Sequence, residues 1–331
     1  MTVDVALDAM GGDLAPQSTV AGALIAVAEG ITVALVGDEG VLQAELARRG
    51  GVRHGISVVH APETISMDAP AAAEARRRRG SSISVGVAMV KRREAGAVVS
   101  VGNTGAAMAT ALMTLGRMRG VERPALSAIL PTPGHPTLLL DVGANAEARP
   151  SHLVQFAHFG SAYMRTAFGI AEPSVGLLSI GEEASKGSPM IVEANAALSG
   201  VLAGFVGNVE GRDIAFGAVD VVVTDGFTGN VVLKVLEGTV AMMFEQLRAV
   251  ASSSLRARLG GGLLLPGVGQ LRSQFDYRRY GAVPLLGVDG AVFIGHGRSD
   301  AEAIASAIRS AASAVRNGML EAVGAAIAQI A

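Results

Sequence analysis

The chain has 331 residues, of which half are hydrophobic, and 27 basic and 29 acidic side chains give it a formal charge of −2. This length allows one large or two ordinary domains with a sizeable core, and the charge gives no general attraction for nucleic acid. Because the sequence has no cysteine, a disulfide framework, a thiolate metal site and a cysteine acyl-enzyme are all excluded.

The first residues form a β-branched run at 3–7, with Asp4 and Asp8 and no basic stretch before it. This pattern predicts a first strand and not a signal peptide, so we expect a cytoplasmic protein. Charged side chains at Asp220, Asp225 and Lys234 interrupt the most hydrophobic stretches. We therefore expect no segment that crosses a bilayer.

Further β-branched runs follow along the chain, with Ala- and Leu-rich stretches of helical period between most of them. The runs lie at 33–36, 57–60, 98–101, 138–142, 175–180 and 219–224, and the helical stretches include 17–29, 42–49 and 151–168. The alternation predicts an α/β fold: a three-layer α/β/α Rossmann-like sheet, mostly parallel. Because no repeat or low-complexity linker divides the sequence, we expect one composite domain over 1–331.

A basic region lies between the third and fourth predicted strands, with four arginines at 76–79 and three basic residues at 91–93. The pattern favours a solvated helix face, and a patch for an acidic partner is the alternative.

Five predicted strand exits combine glycine with a polar side chain. Ligands of an open parallel sheet bind beyond the carboxyl ends of its strands, so we expect these loops to share one edge. The candidate binding residues are Asp8, Gly11, Gly12, Asp13, Ser100, Gly102, Asn103, Thr104, Gly105, Asp141, Asn145, Glu183, Asp225, Gly226, Thr228 and Gly229. Helix caps and tight turns explain any single one of these loops, but they explain the recurrence less well.

Two of these loops, 102–105 and 226–229, read Gly-x-Thr-Gly between a strand and a helix. Glycine lets backbone amides approach a ligand closely, threonine adds a hydroxyl, and the helix dipole favours negative charge. The two loops therefore predict an anion site.

The alternation of predicted strands and helices is interrupted at 231–282. A long helical pattern there is followed by Gly-Gly-Gly-Leu-Leu-Leu-Pro-Gly at 260–267 and then by a second helical pattern. We interpret this segment as a protruding helical hairpin. Its apolar tip suits either a membrane surface or a subunit interface.

Several familiar motifs are absent from the sequence. It contains no Gly-x-Gly-x-x-Gly after the first strand, no P-loop and no Gly-x-Ser-x-Gly elbow, and its six histidines show no metal-site spacing. We therefore predict neither a cofactor nor a metal.

Six ordered motifs resemble those of the bacterial phosphate acyltransferase family, and the resemblance covers essentially the full chain. They are Asp-Ala-Met-Gly-Gly-Asp at 8–13, Gly-Asn-Thr-Gly at 102–105, Asp-Val-Gly-Ala-Asn at 141–145, His-Leu-Val-Gln at 152–155, Thr-Asp-Gly-Phe-Thr-Gly-Asn at 224–230 and His-Gly at 296–297. The resemblance implies a fold related to phosphotransacetylases and isocitrate-type dehydrogenases. It also implies a homodimer and peripheral membrane association through the hairpin.

The reaction implied by the resemblance converts acyl-[acyl-carrier-protein] and inorganic phosphate to acyl phosphate for phospholipid synthesis. Its partners would be acyl carrier protein and a downstream acyl-phosphate glycerol-3-phosphate acyltransferase. The resemblance also implies Lys186 and Asn230 as catalytic residues. His296 is a further candidate as a proton carrier, although a lone loop histidine is more often structural.

Three other functions stay open at this point. A phosphotransacetylase acting on short acyl-coenzyme A would share the fold and the nucleophile. A non-catalytic membrane-associated scaffold would keep the anion loops without the chemistry. A dehydrogenase rests on fold analogy alone, and the missing dinucleotide motif argues against it.

Overall fold

The computed structural model describes residues 2–330 except 255, 259, 263, 265, 266, 268 and 270–279. Its strands are β1 Val3–Asp8, β2 Val33–Gly37, β3 Ile56–His60, β4 Ala95–Ser100, β5 Ala125–Leu130, β6 Thr137–Leu140, β7 Val175–Leu178, β8 Phe205–Val209, β9 Val221–Val223, β10 Ala282–Leu286 and β11 Ala291–Gly295. Its helices are α1 Gln17–Ala28, α2 Glu39–Arg48, α3 Ala71–Arg77, α4 Ser82–Lys91, α5 Thr104–Thr114, α6 Pro150–Phe168, α7 Pro189–Leu198, α8 Gly211–Phe216, α9 Gly226–Ser252, α10 Ala301–Arg316 and α11 Met319–Ala328.

All of these strands join in one sheet, in the order β3-β2-β1-β4-β11-β10-β5-β6-β9-β7-β8. The first five are parallel to one another, and so are the last four. Antiparallel pairings at β11–β10, β10–β5 and β5–β6 lie between the two sets. Three reversals separate the sets, so the two sets of strands run in opposite directions.

Helices cover both faces of the sheet, because residues alternate between the faces along each strand. On β1, Val5 and Leu7 belong to the core under α1, α6, α10 and α11, whereas Ala6 belongs to the core under α4 and α5. Leu7 is fully buried, and each such leucine contributes roughly 1.5–3 kcal/mol to folding. The predicted three-layer α/β/α fold is confirmed.

Small residues allow the helices to pack closely on the first face. A Cβ on Gly22 of α1 would lie only 2.5 Å from the Cβ of Ile304 in α10. Any side chain at position 22 would therefore force the two helices apart, which explains a glycine in the middle of a helix despite its cost of about 1 kcal/mol.

The seven predicted strands are confirmed, with shifts of up to three residues at their ends. Strands β5, β8, β10 and β11 were not predicted from the sequence. The hairpin of β10 and β11 is short and contains Pro284 and Gly287, which are residues that usually mark loops. Paired with each other and with β5 and β4, these segments complete the middle of the sheet.

Helix α9 is the first helix of the predicted hairpin. It has 27 residues, and its most apolar 18-residue window reaches a mean hydropathy of 1.2 while only 6% of that window is buried. By length and composition alone α9 is therefore long and apolar enough to cross a bilayer, and the expectation that no segment does so stays a prediction. The predicted second helix of the hairpin lies largely outside the described residues. So do two leucines of the apolar tip and the aromatic and basic residues that follow it, namely Leu263, Leu265, Arg272, Phe275, Arg278 and Arg279. The bounds of the hairpin and the single composite domain stay predictions.

Candidate functional site

The loops that follow β1, β4 and β11 meet at the carboxyl ends of these strands; we call residues 8–13, 100–105 and 296–299 the first rim. Asp8 ends β1 and is 3% exposed. Its Oδ2 accepts a hydrogen bond of 2.6 Å from the Ser100 hydroxyl, whose oxygen accepts from the Gly102 amide at 3.1 Å. Burial raises the pKa of Asp8, which favours the uncharged carboxyl.

The glycines of the first rim are required by close packing. A Cβ on Gly11 would lie 2.6 Å from Asp8 Oδ2 and 2.9 Å from the Gly102 nitrogen. Gly12 has a φ of +94°, and the amide of Asp13 donates to the Gly297 carbonyl at 2.8 Å. These contacts hold the three loops together.

Asn103 has a different task from the one that its position in the motif predicts. Its Oδ1 caps α5 by accepting from the Ala106 amide at 3.0 Å, and its Nδ2 donates to the carbonyls of Met67 and Ala69 at 2.8 and 3.2 Å. The side chain thus fastens the segment before α3 onto the rim. Its neighbour Thr104 is exposed. Within the part of the chain that the structure describes, the Thr104 hydroxyl forms no hydrogen bond.

His296 lies on the first rim just after β11, where its side chain is exposed. Its carbonyl accepts a hydrogen bond from the Ser299 amide at 3.0 Å. Ser299 is 1% exposed, and its hydroxyl has no hydrogen-bond partner among the described residues. This loop precedes α10, whose N-cap is Asp300.

The loops after β6, β7 and β9 form a second group; we call residues 141–145, 179–187 and 224–230 the second rim. Asp141 is fully buried and accepts five hydrogen bonds, from the amides of Leu126, Gly143, Ala144 and Asn145 and from Asn145 Nδ2. Burial raises its pKa, and these donors act against the rise. The second amide donor of Asn145 reaches the Pro124 carbonyl at 2.7 Å.

The second Gly-x-Thr-Gly loop begins α9. Asp225 caps the helix, since its Oδ1 accepts from the Thr228 amide at 2.9 Å and its Oδ2 from the Thr228 hydroxyl at 2.7 Å. The Gly226 amide donates to the Asn145 carbonyl at 2.8 Å. A Cβ on Gly229 would overlap the Asp141 carbonyl. The polar groups of Asp225, Gly226 and Thr228 are therefore bonded within the second rim.

Asn230 follows directly and is exposed. A Cβ added to Gly143 would lie 3.1 Å from Asn230 Nδ2. Gly143 also has a φ of +140°, which favours glycine. Glycine at 143 leaves room for the carboxamide over the loop after β6. Within the described residues no hydrogen bond uses that carboxamide, so its donors are free for a ligand.

Lys186 and Glu183 lie in the exposed loop after β7. The Lys186 amide donates to the Glu183 carbonyl at 2.9 Å. The Lys186 side chain packs over Gly181, because a Cβ added to Gly181 would lie 3.1 Å from the Cγ of Lys186. Among the described residues the ammonium group forms no ion pair. Because β7 and β9 are neighbours in the sheet, Lys186 and Asn230 follow adjacent strands at one rim.

The structure corrects the expectation that all five loops share one edge. The strands that carry the first rim run opposite to those that carry the second. Asp8, Ser100 and the loops at 102–105 and 296–299 are brought together, as are Asp141, Asn145, the start of α9 and the Lys186 loop. The two rims are therefore separate groups of loops, each on one of the two parallel sets of strands.

Two buried residues at the second rim were not predicted from the sequence. Asn208 of β8 donates to the carbonyls of Glu183 and Lys186, and Asn195 of α7 donates to Asn208. No local signal marks them, because neither residue adjoins a glycine turn after a predicted strand. Their importance depends on a contact between segments far apart in the chain.

Potential metal ligands do not gather in the described part of the chain, where no group of three His, Cys, Asp or Glu side chains could hold an ion. The first rim contributes the buried carboxyl of Asp8, whose pKa is raised by burial, and backbone amides at the start of α5. The second rim contributes the Lys186 ammonium and the Asn230 carboxamide, with the exposed carboxylates of Glu182 and Glu183 in the same loop as Lys186. Free amides, ammonium groups and carboxamides bind anions and polarise carbonyl oxygens.

The fold is that of a phosphotransacetylase. The phosphotransacetylase from Streptococcus pyogenes superposes with a TM-score of 0.62 over 95% of this chain and 94% of that chain, at 18% sequence identity. At this identity the likeness shows the fold alone.

The sequence defines the family more narrowly. Residues 3–322 match the model of the "Fatty acid synthesis protein" family. Proteins named phosphate acyltransferase are 51% identical in Thermus thermophilus, over 96% of both chains, and 48% identical in Elusimicrobium minutum, over 96% of this chain and 93% of the relative. The chain therefore belongs to the phosphate acyltransferase family, as the motifs predicted, and it is an acyltransferase enzyme.

Proposed function

We propose that this acyltransferase moves an acyl group from the thioester of acyl carrier protein to inorganic phosphate, for phospholipid synthesis. A phosphate oxygen forms a bond to the carbonyl carbon, and the carbon–sulfur bond breaks. The proton of hydrogen phosphate ends on the sulfur, so the products are acyl phosphate and the carrier thiol. Phosphate is itself a competent nucleophile, which agrees with a chain that lacks cysteine.

One observation carries this proposal: Lys186 and Asn230 present free donors on adjacent loops of the second rim. The neighbouring Asp141 carboxylate and the Nδ2 group of Asn145 are already hydrogen-bonded within the protein. A carbonyl oxygen placed between the ammonium and the carboxamide would gain two hydrogen bonds as it becomes an oxyanion. Such preorganised donors are the largest single contribution to many acyl transfers.

The phosphate is assigned to the Gly-x-Thr-Gly loops at 102–105 and 226–229. Thr104 supplies a hydroxyl at the start of α5, and Lys186 neutralises charge on the phosphate or the oxyanion. His296 at the first rim is assigned the role of proton carrier. Asp8, Ser100 and Asn103 act on this site by holding the loops in place.

The assignment is tested by phosphate-dependent release of thiol from acyl carrier protein. Lys186→Ala and Asn230→Ala are each expected to lower kcat by about 10²–10³-fold, the cost of losing one oxyanion donor. Lys91→Ala is the control, because among the described residues the exposed Lys91 side chain bonds only the Thr114 carbonyl. Full activity in both the Lys186 and Asn230 variants would show that the roles are wrong.

A second candidate function is suggested by the shared fold with phosphotransacetylases. In that case the donor would be a short acyl-coenzyme A. The same thiol-release assay separates the two: our proposal requires a higher kcat/KM for long-chain acyl carrier protein than for acetyl-coenzyme A. A non-catalytic scaffold would release no thiol with either donor.

We also propose a homodimer that packs α9 against the same helix of a second copy. Val231, Val235 and Met242 are exposed along one stripe of α9, and monomers rarely leave such stripes in water. Sedimentation should show a dimer that Val235→Glu converts to a monomer, whereas Arg248→Glu, outside the stripe, leaves it intact. A Val235→Glu dimer would contradict this interface.

The location that we propose is the cytoplasm with peripheral membrane contact through the tip of the hairpin at 231–282. Acyl phosphate is labile in water and carries an apolar chain, so release near a membrane would favour transfer to the downstream acyl-phosphate glycerol-3-phosphate acyltransferase. Flotation with anionic vesicles, compared between the full chain and a chain with a shortened tip, tests this contact.

A further inference from the structure

A buried polar connection links the sheet to the loop that carries Lys186. Asn208 in β8 is 5% exposed, and Asn195 in α7 is 4% exposed. A buried carboxamide without partners is destabilising, so such groups persist where their hydrogen bonds are satisfied. Their side chains bond to each other, to the loop that carries Lys186 and, through Asn195 Oδ1, to the Ser199 hydroxyl.

The direction of these hydrogen bonds is fixed. Asn195 Nδ2 donates to Asn208 Oδ1 at 2.9 Å, and Asn208 Nδ2 donates to the Glu183 carbonyl at 2.8 Å and to the Lys186 carbonyl at 3.4 Å. If the Asn208 amide were flipped, its oxygen would face two carbonyl oxygens. Asn195 therefore orients Asn208, and Asn208 clamps both ends of the turn that carries Lys186.

Other contacts hold this turn less firmly. The hydrogen bond from the Lys186 amide to Glu183 lies within the turn itself. Glu182 reaches Arg212 at 3.6 Å across an exposed ion pair, and such pairs contribute little. The clamp from Asn208 is the buried link between the turn and the sheet.

We propose that Asn208 is a positioning residue for Lys186 and that Asn195 orients Asn208. The inference rests on the proposed function, because it requires Lys186 to act on the reacting groups. A lysine on an unclamped surface loop would sample many positions. A shift of about 1 Å in a catalytic group can cost on the order of 10²-fold in rate.

The test uses Asn208→Asp, which has the same shape. The aspartate still accepts from Asn195, but it turns an oxygen toward the carbonyls of Glu183 and Lys186. We expect kcat and kcat/KM to fall together by about 10–100-fold, because Lys186 acts in the transition state. Ser174→Ala is the control: it removes hydrogen bonds of 2.7 and 2.9 Å to Asp220 at the other ends of β7 and β9. It should lower Tm and leave kcat unchanged.

A double-mutant cycle with Lys186→Ala separates positioning from general destabilisation. In the Lys186→Ala background, Asn208→Asp should lower kcat no further. An equal loss in both backgrounds, or wild-type kcat in Asn208→Asp alone, would overturn the proposal. Full activity in Lys186→Ala would overturn the proposed role of Lys186 as well, so the two failures are distinguishable.

Asn195→Ala provides a second variant should Asn208→Asp not fold. It leaves both donors of Asn208 in place and removes the Nδ2 group that orients them, together with the Oδ1 acceptor of a 3.4 Å bond from the Ser199 hydroxyl. We expect a smaller loss of kcat, about threefold to tenfold, that again disappears in the Lys186→Ala background. A loss that persists there would show that the asparagine pair stabilises the fold without positioning Lys186.

Discussion

Two buried carboxyl groups, Asp8 and Asp141, mark the two rims, and they are satisfied to different degrees. Asp141 accepts five hydrogen bonds. Asp8 accepts from Ser100 through Oδ2, whereas its Oδ1 has no hydrogen-bond partner among the described residues. Burial raises the pKa of both groups. A raised pKa at Asp8 reduces the repulsion that phosphate at the neighbouring 102–105 loop would otherwise meet.

The raised pKa of Asp8 predicts a dependence of stability on pH. Because the folded state binds this proton more tightly than the unfolded state, stability is lost as pH rises from the unfolded value of 3.8 through the folded pKa. A carboxamide in place of the carboxyl would keep the acceptor for Ser100 without a charge. Asp8→Asn is therefore expected to have a higher Tm than the wild type at pH 8, with a gap that closes toward pH 4.

Thermal unfolding of both proteins across this pH range measures the gap. A gap that stays constant with pH would show that Asp8 is not the titrating group.

At the same scale, Asp8 and Asp141 were predicted correctly at strand exits, since a polar residue after a β-branched run beside glycine is a local pattern. No such pattern could show that the Asp141 carboxylate and the Asn145 Nδ2 group are hydrogen-bonded to other parts of the protein. That fact depends on where Leu126 and Pro124 lie, which is a tertiary contact. For the same reason nothing in the sequence marks Asn208.

The N-termini of α5 and α9 share a motif but differ in which amides are free. At α9, the amides of Gly226 and Thr228 bind Asn145 and Asp225. At α5, Asn103 takes the amide of Ala106, and within the described residues the amides of Thr104 and Gly105 have no partner. Of the two loops, the one at α5 has more donors available to an anion.

This difference predicts opposite effects of the same substitution at the two helices. Thr104→Val should raise the phosphate KM about tenfold with little change in Tm, because an exposed hydroxyl is lost from the ligand site. Thr228→Val should lower Tm, because its hydroxyl binds Asp225, and leave the phosphate KM close to wild type. Equal phosphate KM values in the two variants would remove the preference for α5.

Across the whole molecule, the reversal of strand direction is what the sequence could not predict. The strands β5, β10 and β11, which no sequence pattern predicted, take part in the reversal. Sheets usually twist by roughly 20–25° per strand step, and over the five steps between β4 and β9 such a twist would rotate the strand axes by about 100–125°. The carboxyl ends of β4 and β9 would then point about 55–80° apart instead of directly away from each other. The proposed reaction requires this, because one bound thioester has to reach both rims.

The distribution of charge over the molecule bears on the carrier protein. With a net charge of −2, the chain as a whole does not attract an acidic partner, so attraction must be local. Arg77 and Arg78 are paired with Glu74, whereas Arg76 and Arg79 are exposed and have no ion pair within the described residues. Arg76 lies in the last turn of α3 and Arg79 follows the helix, whose first residue, Ala71, packs closely on α5 at Gly105. The unpaired arginines therefore lie on the segment that adjoins the first rim.

If acyl carrier protein docks at these arginines, the double variant Arg76→Glu/Arg79→Glu should raise the KM for that donor about tenfold at low salt. The loss should shrink as salt is added, because surface charges are screened. Activity with acyl-coenzyme A, which needs no protein docking, should stay unchanged. Arg48→Glu on α2 is the control, since α2 packs on the other face of the sheet. An unchanged, salt-insensitive KM for the carrier protein would exclude this patch and leave the docking surface elsewhere on the molecule.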